Sequence, residues 1–213
     1  MDYNLIRFST LSILLVFLYR NKNCLPQNKQ ILFSLLFILS CLYRSIFLSD
    51  EGAFLCFDKP NIFNASLSGR IVAFLGEFSI FCLIYNFHSI NNLNLFYLFF
   101  LAEMFSFLGV IFRISKFFCL EYLTWNILFG LILTYSKNNI LNIIYVSIIL
   151  FNFFHEIPHF YIAKTIKKKN SLFKSYQNKG HKIWKNRYLF FLSYFMIFPL
   201  VIFITSIVTV HKC

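Results

Sequence analysis

Seven stretches of the chain are apolar over enough residues to span a bilayer: Leu5–Tyr19, Gln30–Leu48, Ile71–His88, Leu95–Phe112, Phe117–Tyr135, Asn139–Ala163 and Tyr188–Val210. A helix crosses the hydrocarbon core in about 17–25 residues at about 1.5 Å rise each, and the first stretch is the shortest candidate. Periodicity does not separate helix from strand in such uniformly apolar runs. Length does, because barrel strands take about 9–11 residues, and in lipid only a helix or a closed barrel satisfies its own backbone. The expected fold class is therefore all-α. It is a polytopic transmembrane helix bundle of about seven spans, or six if one weak run does not cross. The connections fit this pattern: 20–29 is polar, 49–70 is the only loop with acids, and 136–138 is a tight turn. Nothing repeats, so residues 1–213 are read as one integral membrane domain.

Composition strengthens the picture. The chain is 59% apolar and 13% charged, against about 45–50% and about 25% in soluble domains. Its 31 Phe and 12 Tyr would aggregate if exposed to water but are tolerated by lipid tails. The richness in Phe, Ile, Asn and Lys also fits an AT-rich genome. Six cysteines form no CxxC pair; Cys41, Cys82 and Cys119 fall inside apolar runs, as small buried hydrophobes do. Arg7 precedes a short apolar stretch with no small-residue cleavage site after it, so the first run is expected to be retained.

The net charge of +12 is a local feature and not a nucleic-acid surface. It gathers in 164–187, where Lys164, Lys167, Lys168, Lys169, Lys174, Lys179, Lys182, Lys185 and Arg187 stand. Basic loops stay on the inner side, which puts the N-terminus inside and Cys213 outside, although Arg20, Lys22 and Lys29 then fall in an outer loop. The sequon Asn64-Ala65-Ser66 is expected inside and unmodified. Between the charges of the basic loop stand Leu172, Phe173, Tyr176, Ile183 and Trp184, the pattern of an interfacial helix on anionic lipid headgroups. The same pattern serves an organelle or the plasma membrane. Trp125, Trp184, Tyr135, Tyr161 and Tyr188 are expected as interfacial anchors, and Asn126 and Asn152 as interhelical amides.

Charged groups at membrane depth cost roughly 2.5–3.5 kcal/mol on insertion scales, so each needs a partner, a cavity or a function. Apart from Asp2, every acid lies between Asp50 and Glu156. Counting about 1.5 Å per residue from the face with the basic loop places Arg44 at about 6 Å, Glu77 at about 10 Å and Glu103 at about 14 Å. The same count gives about 6 Å for Glu121, about 12 Å for His155 and about 6 Å for His159. All fall in one leaflet. The expectation is a polar intramembrane pocket formed by Arg44, Asp58, Arg70, Glu77, Glu103, Glu121, His155, Glu156 and His159. The alternative is separate ion pairs, Glu77 with Arg70 and Glu121 with Arg113 or Lys116. Glu103, mid-span, is the acid that local pairing explains least.

His155-Glu156-Ile157-Pro158-His159 spells H-E-x-x-H, which in zinc hydrolases sets two His ligands one turn apart with the Glu as general base. Zinc held by His155 and His159 is thus a candidate, although Pro158 should kink the helix between them. In span count and this His pair the chain resembles the lipid-hydrolysing seven-span superfamily that includes alkaline ceramidases. It lacks the Ser-x-x-x-His partner motif, since Ile84 stands four before His88, and its His pair is in the sixth span where the family's is in the last, so no family is assigned. The functional expectation is a carrier, channel or subunit of a larger membrane complex, with an intramembrane metal-dependent lipid hydrolase as the alternative.

Overall fold

The computed structural model describes residues 3–21, 29–47, 66–112 and 114–162. Among them the fold is all-helical, with no strand. The elements are α1 (Tyr3–Asn21), α2 (Lys29–Phe47), α3 (Ser66–Phe87), α4 (Asn94–Phe112), α5 (Ser115–Tyr135) and α6 (Asn139–Phe151). A π-helical turn (Asn152–Glu156) and α7 (Ile157–Ile162) complete the order. Four of these segments are long and apolar enough to cross a membrane: Leu67–Phe87, Asn94–Phe112, Ser115–Tyr135 and Asn139–Glu156. The apolar part of α1, Phe8–Asn21, is shorter. The seventh apolar run, Tyr188–Val210, and the basic segment 164–187 lie outside the described residues.

The described residues form two compact units, one up to Leu83 and one from Ile84 onward. In the first, α1 and α2 pack through Leu14, Phe17, Ile31 and Ile38. α2 also meets α3, at Gly76. Gly76 has no side chain, and Ser40 sits against it so tightly that a Cβ there would lie 2.5 Å from Ser40 Oγ. The Ser40 hydroxyl donates to the Val72 carbonyl at 2.7 Å, which ties one helix to the backbone of the other.

In the second unit α4 and α5 form the most extensive helix pair. Gly109 admits the ring of Phe118, whose carbons would stand 2.8–3.0 Å from a Cβ. The three-residue connection after α5 is closed by Asn138. Its side chain accepts from the amides of Ile140 and Leu141 at 2.9 and 3.2 Å and so caps α6. Tyr145, Asn152 and Glu156 are the buried positions of the sixth segment, spaced seven and four residues apart, so a single stripe faces the protein. Ile140, Ile143, Val146, Leu150, Phe153 and Phe154 are exposed, as side chains facing lipid would be.

The sixth segment bends by a specific device. Pro158 has no N–H, and its ring would press on the carbonyl of Phe154 in an unbroken α-helix. The chain inserts an extra residue into the preceding turn: the N–H of Ile157 reaches back five residues to the Asn152 carbonyl. The Phe153 and Phe154 carbonyls thereby lose the donors that an α-helix would give them. A π-turn of this kind is the form the expected kink takes.

Candidate functional site

The polar residues singled out by the sequence fall into both units. In the first, Arg44 and Arg70 are among the largest fully buried side chains. Arg70, at 0% exposure, forms an ion pair with Glu77, Nη2 to Oε2 at 2.7 Å. The two residues are seven apart on α3, so two helical turns bring them to the same face, and the long guanidinium stem covers the remaining axial distance. This is the local pairing the sequence offered as an alternative to a pocket.

In the second unit Glu103 is the tenth of nineteen residues in α4 and is 2% exposed. It is the single acidic or basic residue in a helix otherwise rich in Leu and Phe. Glu121 on α5 is 4% exposed. Ser106, one turn beyond Glu103, is also buried, and its hydroxyl does not bond back to its own helix. Ser79, Thr124 and Ser147 all do so at 2.7 Å.

At the π-turn, Glu156 is wholly buried, and its Oε1 stands 2.8 Å from His155 Nδ1. The His155 side chain is 46% exposed and its ring stacks on Phe151, centroids 4.8 Å apart at 14°. The turn is anchored by the Asn152 amide, which donates to Asn126 Oδ1 on α5 at 3.0 Å. Cys119 Sγ donates to the Ile157 carbonyl at 3.5 Å just beyond it. The interhelical amides read from the sequence therefore bond to each other, and they hold the one π-helical turn among the described residues.

His159 belongs to α7, while Asp58 and Arg113 lie outside the described residues. Among the described residues no group of three or more His, Cys, Asp or Glu could hold a metal ion. The Glu156 carboxyl group, which the zinc-hydrolase reading casts as general base, is buried and engaged with the neighbouring imidazole, an arrangement that orients His155.

Trp125 corrects one expectation. It stands eleventh in the 21 residues of α5, buried, and not at a span end. Its indole meets Phe99 edge-on at 5.7 Å and stacks on Phe129 at 5.4 Å; Phe129 stacks in turn on Tyr145 at 5.7 Å. The ladder ends at His88, whose Nε2 lies 2.9 Å from the Tyr145 hydroxyl. Sequence reasoning passed over His88 and Tyr145, because one closes a span and the other is an ordinary aromatic in an apolar run. Nothing in their spacing of 57 residues links them. Tyr135, by contrast, is exposed at the end of α5 and accepts from Asn92 Nδ2 at 3.0 Å, as an interfacial anchor would.

No protein family, curated protein or solved structure matches the chain.

Proposed function

We propose that this chain is a multi-pass integral membrane protein of about seven spans whose buried ionisable side chains handle a charged species within the bilayer. It acts as a carrier or channel, or as the subunit of a membrane complex that does so. Supporting the span count are the four long apolar segments from α3 to the composite sixth, together with the apolar runs Leu5–Tyr19, Gln30–Leu48 and Tyr188–Val210 of the sequence. Supporting the membrane contact is the basic segment 164–187, whose partners are anionic headgroups.

The single observation that carries the functional part is Glu103. A carboxyl group in the middle of an apolar helix, withdrawn from the surface, carries an insertion cost of about 2.5–3.5 kcal/mol that a plain structural helix would avoid by substituting Leu or Gln. Glu121, also buried on the helix paired with α4, repeats the pattern.

The test is flux through liposomes holding the purified full chain, measured for protons, sodium, chloride and a fluorescent anionic phospholipid. Wild-type vesicles are expected to pass at least one of these faster than empty vesicles. Glu103→Gln and Glu121→Gln are expected to insert equally well and lose that flux. Wild-type flux in both variants, or none above background in the wild type, removes the reading.

A further inference from the structure

The contact between His88 and Tyr145 has the properties of a proton-sensitive tie. His88 follows the last residue of α3, and Ser89 after it adopts a left-handed conformation with φ of 49°, which turns the chain toward α4. Three successive amides return to the end of α3: His88 to the Ile84 carbonyl, Ser89 to Asn86 and Ile90 to Tyr85, each at 3.1 Å. The connection is thus folded back on its own helix, and its imidazole reaches sideways to α6.

Tyr145 is 4% exposed, and among the described residues its hydroxyl has no hydrogen-bond partner other than His88 Nε2. A phenol hydrogen buried in this way needs an acceptor, which fixes the neutral imidazole with its lone pair on Nε2 as the fitting tautomer. The other faces of the imidazole meet rings: Phe87 edge-on at 5.1 Å and Tyr145 at 5.8 Å.

Among the described residues no carboxylate stands at this end of the unit to welcome a charge. Beside His88, the titratable residues on this side of the unit are Tyr85 on α3, Tyr97 on the first half of α4, Tyr135 on the second half of α5 and Tyr145 on α6. Among the described residues Lys137, in the α5–α6 connection, is the one charged group there, and it is a cation.

We propose that His88 and Tyr145 form a pH-sensitive latch. The neutral imidazole accepts the Tyr145 hydroxyl hydrogen and ties the α3–α4 connection to α6, and protonation of His88 releases it. Once Nε2 carries a proton, the Tyr145 hydrogen loses its acceptor, and a cation is left beside aromatic rings with no counter-charge among the described residues. Burial accordingly moves His88 below its ordinary value of 6.5. The sign follows: the closed latch binds fewer protons than the open one, so it is whole above pH 6.5 and weakens as the pH falls below that value.

The experiment is hydrogen exchange, read by mass spectrometry on the full chain in lipid nanodiscs at pH 5.5 and 7.5, with rates corrected for the intrinsic effect of pH. Protection of the amides of residues 88–90 is expected to fall roughly threefold or more at the lower pH. His88→Gln keeps an acceptor but does not titrate, and is expected to stay protected at both values. Tyr145→Phe keeps the ring without the hydroxyl, and is expected to exchange fast at both. Equal protection of the wild type at both values, or a pH response that survives in His88→Gln, overturns the latch.

Discussion

At the scale of single residues, two contacts in the first unit fix most of what a point substitution can reveal. Gly76 leaves no room: Ser40 Cβ would stand 2.7 Å from an added Cβ, and neither helix backbone yields easily. Gly76→Ala is expected to destabilise the protein by about 1–3 kcal/mol, the usual cost of overpacking. Adding Ser40→Gly, which removes the obstructing atoms, should recover part of the loss; equilibrium unfolding in mixed detergent micelles reads both. The Arg70–Glu77 pair behaves differently because its cost is electrostatic. Glu77→Gln leaves a buried guanidinium short of a charge partner and is expected to cost about 3 kcal/mol in the same assay. The double change Arg70→Met with Glu77→Leu is expected to cost less than Glu77→Gln alone, since it removes the charge along with its partner. A larger loss in the double variant would mean that Arg70 holds the fold together by packing more than by charge.

At the scale of elements, the π-turn is where local chemistry overrides the regular helix. Pro158 was legible in the sequence as a source of distortion, but whether the helix would kink, break or bulge was not. That choice depends on what holds the flanking turn, and here the holder is the Asn152–Asn126 bond to α5. Removing either amide should remove the same interaction. Asn126→Leu and Asn152→Leu are each expected to cost roughly 0.6–1.7 kcal/mol, and the double variant little more than one of them. A double variant equal to the sum of the singles would show that the amides act independently. Gly109 belongs to the same scale. Its missing side chain receives the Phe118 ring and sets how closely α4 and α5 approach.

At the scale of the whole molecule, short links between successive helices demand alternating direction, so in a bilayer successive connections of the second unit would fall on alternate sides. In a cysteine-free background, Leu93→Cys and Lys137→Cys are expected to react with an impermeant maleimide from one side of sealed vesicles, and Lys116→Cys from the other. Labelling of all three from the same side would contradict membrane crossing by α4 and α5. Much of this architecture was written in the sequence. Unbroken apolar runs set the helices because lipid leaves the backbone no other partner, and the expected boundaries of α2, α4 and α5 agree with the structure to within one or two residues. α3 starts five residues earlier than its apolar run and carries Arg70 within the helix, where it pairs with Glu77. Composition also marked the acids as anomalous, since an isolated Glu in a run of Leu and Phe stands out at any depth. What only the tertiary structure decided is which polar groups meet. Arg70 with Glu77 is short-range and could be counted along one helix. His88 with Tyr145, and Ser40 with Gly76, join positions whose separation in sequence carries no periodic signal. Such contacts arise from the rotation of each helix about its own axis, and a uniformly apolar stretch does not encode that rotation, because every face of it suits lipid equally well.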